Sequence, residues 1–293
     1  MLYNERMPYT TIINAAKLAM HLNDLDWAIV DSRFALADTE QGRRDYLEHH
    51  ISGAVYAHMD NDLSGPIVPG KTGRHPLPNI EQMAARLSNW GIDAQTQVVV
   101  YDNAGGAFAA RLWWLLHWLG HESVAVLDGG WPSWQAAGGA TTAGEEVREA
   151  RKFSPDPRND MVLDVTAVQT RLRGRSFKLF DSRGADRYRG ENETIDPVAG
   201  HIPGSHSAPF AENLNAQEHF RSVEELQTRF EQLLQDSTPD EAAFYCGSGV
   251  TAAHNLLAMA YAGMEGAQLY TGSWSEWITD PARPVATGEG AGI

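Results

Sequence analysis

Short runs of β-branched and aromatic residues alternate along the chain with longer segments whose apolar residues recur at helical spacing. The short runs predict buried strands over residues 27–30, 97–101, 124–127, 178–180, 243–245 and 268–270. The longer segments predict helices over residues 80–90, 107–119, 223–235 and 251–262. This alternation predicts an α/β fold in which helices cover both faces of a parallel sheet.

Four short motifs occur twice in the same order. The paired copies begin at residues 30 and 180, 50 and 201, 98 and 242, and 129 and 272, so the offsets are 150, 151, 144 and 143. The first two pairs carry Asp-Ser-Arg and His-Ile-x-Gly. Offsets that drift so little indicate a tandem domain duplication. We predict domains over residues 1–145 and 161–293, joined by a linker over 146–160 that contains Ser154-Pro155-Asp156-Pro157.

Composition narrows the class of protein. The chain has 293 residues, 43% of them hydrophobic, and 23 basic against 38 acidic side chains give a net charge of −15. This acidic balance argues against nucleic-acid binding. The N-terminal residues lack the pattern of a secretory signal, and no apolar run approaches the roughly 18 residues of a membrane span. We therefore expect a cytoplasmic protein without membrane contact.

The chain contains one cysteine, Cys246, which excludes an internal disulfide and a thiolate zinc cluster. It follows a predicted strand and precedes Gly247-Ser248-Gly249-Val250-Thr251 at the start of a predicted helix. Backbone N–H groups of such a loop, together with the helix dipole, favour an anion and hence a thiolate. Asp102 occupies the equivalent position in the first copy. We therefore expect a nucleophile in the second domain and none in the first.

These residues resemble the two-domain rhodanese-like sulfurtransferases over roughly residues 8–288. The resemblance rests on Asp102, Cys246, the repeated signatures and the Gly-Ser-Trp-Ser-Glu-Trp segment at 272–277. It implies tandem rhodanese-like domains, the first inactive and the second catalytic. The neutral residues after Cys246 are typical of 3-mercaptopyruvate sulfurtransferases, whereas rhodaneses that prefer thiosulfate usually carry basic residues there.

The resemblance also implies a persulfide mechanism. The Cys246 thiolate takes sulfur from 3-mercaptopyruvate or thiosulfate and passes it to cyanide, a small thiol or thioredoxin. No metal or organic cofactor is implied, and a monomer is expected. The loop residues are expected to bind the donor and the persulfide: Gly247, Gly249, Val250 and Thr251.

Ser248, Asp60 and His75 match a proton-handling triad of the mercaptopyruvate enzymes. The set is chemically sensible, because a carboxylate can orient an imidazole that polarises a hydroxyl. The alternative is that Asp60 is a turn or helix cap and His75 a surface residue of its loop.

Arg187 matches the first of two family arginines that hold the carboxylate of the donor. A guanidinium suits this role because it makes two parallel hydrogen bonds to a carboxylate. The second arginine is expected nine residues on, where this chain has Asp196. Arg189, Arg74 and other side chains are candidates to replace it.

The residues around Cys246 argue against two other cysteine chemistries. A cysteine phosphatase needs an arginine six residues after the cysteine, and this chain has Ala252 there. A cysteine hydrolase needs a histidine beside the thiol and an oxyanion hole, and papain-type sequence context is absent. Two alternatives stay open: thiosulfate:cyanide sulfur transfer as the main activity, and a non-catalytic module that binds a partner or senses redox state.

Several conspicuous residues are assigned to structure. Arg33 and Arg183 occur in both copies of Asp-Ser-Arg, so each is expected to form an ion pair with a nearby acid. His254 is expected on a helix face, without a role as a base. Four tryptophans are expected to pack in the core or a lid: Trp131, Trp134, Trp274 and Trp277.

Overall fold

A computed structural model describes residues 7–174 and 177–290. The first copy contains β1 (Ile12–Ile13), α1 (Ala15–Ala19), β2 (Trp27–Asp31), α2 (Gln41–Glu48), β3 (His50–Ile51), β4 (Val55–Tyr56), α3 (Ile80–Asn89), β5 (Gln97–Tyr101), α4 (Ala109–Trp118), β6 (Val124–Leu127), α5 (Gly130–Ala136) and β7 (Thr141–Thr142). The second contains β8 (Val162–Leu163), α6 (Val165–Arg171), β9 (Lys178–Asp181), α7 (Ala185–Arg189), β10 (Ser205–Ser207), α8 (Val223–Leu234), β11 (Ala242–Tyr245), α9 (Ala252–Tyr261), β12 (Gln268–Tyr270) and α10 (Ser273–Trp277).

Each copy is built on a five-stranded sheet whose strands are all parallel. The strand orders are β1-β6-β5-β2-β4 and β10-β9-β11-β12-β8, which are the same order read in opposite directions. The registers also correspond, since Asp31 faces Tyr101 and Asp181 faces Tyr245. The predicted α/β class and the duplication are confirmed.

The predicted strands and long helices all occur, with ends that differ by up to two residues. The two-residue edge strands β1 and β8 were not predicted, because so short a run carries no measurable periodicity. Strand β7, at the edge of the Gly- and Pro-rich stretch between the copies, pairs antiparallel with β3.

The segment that leads from β7 to the second sheet is extended and lies along the first domain. Side chains of Arg148 and Arg151 donate to the carbonyl oxygens of Trp27 and Leu25, both at 2.6 Å. Phe153 is 7% exposed and joins the hydrophobic core. The domain boundaries at 145 and 161 stay a prediction.

Two apolar helices join the domains. Helices α4 and α9 each follow the central strand of their own sheet and pack against each other. Both are buried on nearly every side, so one hydrophobic cluster runs through both domains. Because the two sheets meet through these helices, the loops that precede α4 and α9 lie at the domain interface. None of the described helices is long and apolar enough to cross a membrane.

The repeated Asp-Ser-Arg motif forms the same buried ion pair twice. Arg33 Nη2 lies 2.6 Å from Asp31 Oδ2, and Arg183 Nη2 lies 2.6 Å from Asp181 Oδ2. Each guanidinium also donates at 2.7 Å to a backbone carbonyl near the repeated histidine. The expected structural role of both arginines is confirmed. The four tryptophans are buried, as expected: Trp131, Trp134, Trp274 and Trp277.

Candidate active site

Cys246 lies directly after the central strand of the second sheet and is 2% exposed. The N–H of Gly249 donates to Cys246 Sγ at 3.1 Å. Gly249 has a φ of +78°, and a Cβ there would lie 2.5 Å from the carbonyl oxygen of Thr271, so the turn requires glycine. Val250 is buried and Thr251 precedes the first residue of α9. The predicted contacts of these loop residues with a donor stay predictions.

Asp102 occupies the matching place after the central strand of the first sheet. Its carboxylate is fully buried and accepts four backbone hydrogen bonds of its own loop and of the first turn of α4. The donors are the N–H groups of Ala104, Gly106, Phe108 and Ala109, at 2.7 to 2.9 Å. This loop therefore holds an anionic group in a ring of N–H donors.

Ser248, His75 and Asp60 meet at the domain interface. His75 Nδ1 lies 2.7 Å from Ser248 Oγ, and His75 Nε2 lies 3.0 Å from Asp60 Oδ1. Ser248 and His75 are 6% and 5% exposed, so His75 is not a surface loop residue. Burial lowers the pKa of His75 against the opposing effect of Asp60, and the hydrogen bond from His75 lowers the pKa of Asp60. A neutral imidazole is therefore favoured between a carboxylate and a hydroxyl.

Arg74, Arg187 and Asp196 surround Gly247, the residue next to the cysteine. A Cβ on Gly247 would lie 2.8 Å from Arg74 Nη2, 3.8 Å from Arg187 Nη2 and 3.8 Å from Asp196 Oδ2. Both guanidinium groups bond to the Asp196 carboxylate, Arg187 at 3.2 Å. Of the two arginines among the candidates to replace the missing one, Arg74 lies at the site, whereas Arg189 pairs with Glu191.

Arg111 is a site residue that sequence reasoning missed. It projects from α4 of the first domain, is fully buried, and donates to the carbonyl oxygens of Gly249 at 3.1 Å and His75 at 3.2 Å. Burial lowers its pKa to about 10, and the nearby Cys246 opposes that effect. Arg111 therefore stays cationic at neutral pH beneath the cysteine loop. The available signal was an arginine within a predicted helix that is otherwise almost wholly apolar.

Helix α10 fixes the other side of the cysteine loop. Ser273 Oγ accepts the N–H of Cys246 at 3.1 Å, and the N–H groups of Trp274 and Ser275 donate to the carbonyl oxygens of Cys246 and Gly247. Ser273 has a φ of +56°, unusual for a residue with a side chain. Hydrogen bonds with α10 thus hold the backbone of Cys246 and Gly247 in place.

The comparisons with known proteins agree with this geometry. The family model "Rhodanese-like domain" matches residues 14–137 and 164–280. A protein of Pseudomonas aeruginosa named "Probable 3-mercaptopyruvate sulfurtransferase" is 48% identical over 284 residues, which cover 97% of this chain and all of that protein. The thiosulfate sulfurtransferase of Bos taurus is 32% identical over 271 residues, 89% of each chain.

A solved structure has the same architecture. The 3-mercaptopyruvate sulfurtransferase from Leishmania major superposes with a TM-score of 0.82 at 29% identity, covering 93% of this chain and 75% of that one. The fold and site thus define a two-domain sulfurtransferase. The chain belongs to the rhodanese-like family, with both of its domains matched.

Proposed function

We propose that this sulfurtransferase takes a sulfane sulfur from 3-mercaptopyruvate, carries it as a Cys246 persulfide, and delivers it to a thiophilic acceptor. The observation that carries the persulfide is the Asp102 loop. There each of the two Asp102 carboxylate oxygens, one bond beyond Cγ, accepts two backbone N–H groups. A cysteine persulfide likewise places a terminal anionic sulfur one bond beyond Sγ, so backbone N–H groups of the equivalent loop can hold it.

The first half-reaction loads the cysteine. The Cys246 thiolate attacks the donor sulfur, an S–S bond forms, and the C–S bond of 3-mercaptopyruvate breaks with its electron pair going to the methylene carbon. The donor's S–H proton ends on that carbon, which gives pyruvate. In the second half-reaction cyanide, a small thiol or thioredoxin attacks the outer sulfur and releases the thiolate. The proposed compartment is the cytoplasm, whose thiols keep Cys246 reduced.

Donor turnover tests this proposal. Purified protein should form thiocyanate from cyanide faster with 3-mercaptopyruvate than with thiosulfate, because Gly247 and Ser248 are neutral. After donor exposure without acceptor, intact mass should rise by one sulfur atom, and the Cys246→Ser variant should show neither product nor added sulfur. A clear advantage of thiosulfate would make thiosulfate transfer the main activity. If the protein is folded but inactive with both donors, the enzyme proposal fails and the non-catalytic binding module is the remaining alternative.

The proposed role of the triad is to move the donor's proton, with His75 polarising the Ser248 hydroxyl. The Ser248→Ala variant should lose roughly tenfold in kcat with 3-mercaptopyruvate. Thiosulfate carries no such proton at neutral pH, so its turnover is the matched control and should change less than about twofold. Equal losses with both donors would assign Ser248 to shaping the loop.

The pH dependence follows from the direction of the His75 pKa shift. Because that pKa lies below its ordinary value of 6.5, His75 is neutral at pH 7, and kcat with 3-mercaptopyruvate should fall only when the pH drops below 6.5. Asp60 raises the pKa of His75, so in Asp60→Asn the acid limb should move to lower pH. An unmoved acid limb in this variant would contradict the role of His75.

A further inference from the structure

Two buried acids contact Arg187, and they differ in how firmly they are held. Glu193 accepts hydrogen bonds from the N–H groups of Ile195 and Asp196 at 2.9 and 3.0 Å, and from Arg183 at 3.2 Å. Its side chain is only 2% exposed. Glu193 is therefore a fixed part of the fold, and it orients Arg187 through bonds of 2.9 to 3.1 Å.

Asp196 is held differently. Among the described residues, the hydrogen-bond donors to its carboxylate are the guanidinium groups of Arg74 and Arg187. No backbone N–H of the described chain donates to it. Burial raises the pKa of Asp196, and the nearby Glu193 raises it further, against the two arginines. Its anionic form thus rests on two cations that both border Gly247.

Arg74 has capacity for another anion. Its backbone N–H donates to Ser275 Oγ at 3.1 Å, which places the residue against the cysteine loop. Its Nε is buried without a hydrogen-bond partner in the described structure, and its side chain is 26% exposed. A carboxylate or sulfonate oxygen approaching Cys246 past Gly247 would meet this guanidinium.

We infer that Arg74 is the second guanidinium of the donor clamp and that Asp196 is an internal counter-ion occupying the place of the donor's anionic group. The inference rests on the proposed function for the identity of the donor. Binding then is an exchange, in which the anionic end of the donor replaces the Asp196 carboxylate on Arg74 and Arg187. The first domain thereby supplies a specificity-determining side chain to a nucleophile of the second.

The exchange predicts that removing the internal carboxylate strengthens binding. If Asp196 occupies the two arginines about nine-tenths of the time, the apparent affinity for an anion is reduced about tenfold. In Asp196→Ala we expect KM for 3-mercaptopyruvate to fall about tenfold, with kcat changed less than about twofold. Asp196→Asn, which is nearly isosteric, should change KM in the same direction. Unchanged or raised KM in both folded variants would overturn the inference.

Two further variants isolate the charge pair. Glu191→Ala removes an exposed acid that pairs with Arg189, so it changes the net charge equally and should leave KM within about twofold. Arg74→Gln should raise KM, and adding it to Asp196→Ala should abolish the gain. If the double variant keeps the gain, Arg74 is not part of the clamp.

Binding without turnover separates this inference from the proposed function. Calorimetry with pyruvate and with sulfite, the leaving groups of the two donors, should show tighter binding to Asp196→Ala than to the unmodified protein. This result is expected even if neither donor is turned over, in which case the proposed function alone fails. Turnover with unchanged affinity for both anions would instead overturn the exchange and keep the sulfur transfer.

Discussion

The Asp102 loop and the Cys246 loop each follow the central strand of their sheet, but they differ in how many backbone N–H groups the side chain at their start accepts. The Asp102 carboxylate takes four N–H donors and is complete without a ligand. Within the part of the chain that the structure describes, the Cys246 sulfur receives one N–H, from Gly249. The proposed nucleophile therefore lies in the loop whose sulfur has the fewer N–H donors.

Each loop is also reached by the helix of the other domain. Arg111 donates to the carbonyl oxygen of Gly249 at 3.1 Å, and His254 lies 3.0 Å from that of Gly105. These contacts occupy equivalent positions in the two copies, but Arg111 carries charge. Burial lowers the pKa of His254 to about 4, so its imidazole is neutral at pH 7. Of these two contacts in the described structure, the one to the cysteine loop therefore brings a cation.

The side chains that the other domain packs over each loop differ as well. A Cβ on Gly105 would lie 2.6 Å from Leu214, and one on Gly106 would lie 3.5 Å from Phe220, so apolar side chains of the second domain close the Asp102 loop. The Cys246 loop is covered by the polar pair Arg74 and His75 of the first domain. After the duplication the first copy thus works as a structural partner that brings charge and polar groups to the second.

The largest expected effect comes from making the two loops alike. Cys246→Asp should lose at least about 1,000-fold in sulfur transfer, because the nucleophile is gone and a carboxylate fills its site. The variant should nevertheless stay folded, since the Asp102 loop shows that this turn accommodates a carboxylate. Thiocyanate formation and far-UV circular dichroism measure the two outcomes. If the variant is unfolded, the Cys246 loop cannot hold a carboxylate as the Asp102 loop does, and the two loops are not structurally equivalent.

The next largest effect is expected from Arg111, the cation that the first domain places beneath the cysteine loop. Arg111→Met should reduce kcat/KM roughly ten- to hundredfold, because the anionic sulfur of the proposed Cys246 persulfide loses a buried positive charge. It also leaves two carbonyl oxygens without a donor, so the free energy of unfolding measured in urea should fall by about 1 to 3 kcal/mol. Arg111→Lys is the control, because it keeps the charge and loses the fork-shaped donor geometry. Equal activity losses in both would show that geometry, not charge, is what Arg111 contributes.

The smallest effect on activity is expected from a substitution in the Asp102 loop. Asp102→Ala leaves four buried N–H groups without their acceptor and should destabilise the protein by about 3 kcal/mol in denaturant unfolding. Activity of the folded variant should stay within about twofold, because in the described structure the Asp102 carboxylate hydrogen-bonds to its own loop and the start of α4 and not to the cysteine loop. Asp102→Asn, which keeps one carbonyl acceptor, should lose less stability. A large loss of kcat at full folding would mean that the two loops are coupled.

Much of this architecture was predictable because it depends on local pattern. The strand runs, the amphipathic helices and the paired motifs yielded the α/β class and the duplication. The family resemblance predicted that Ser248, His75 and Asp60 form one group, and the structure places them within hydrogen-bond distance. The chain departs from the family at Asp196, nine residues after Arg187, and there the sequence left the replacement open between Arg189, Arg74 and another side chain.

The sequence by itself determined where the proposed nucleophile lies, because a lone cysteine after a strand and before Gly-Ser-Gly has one place in this fold. Only the tertiary structure decided what surrounds it. Arg111 and Arg74 stand far from Cys246 along the chain, and they reach its loop because α4 packs on α9 and a loop of the first domain covers the second. Local periodicity encodes elements, whereas the position of one domain's charge beside another domain's thiol depends on how two folded surfaces pack.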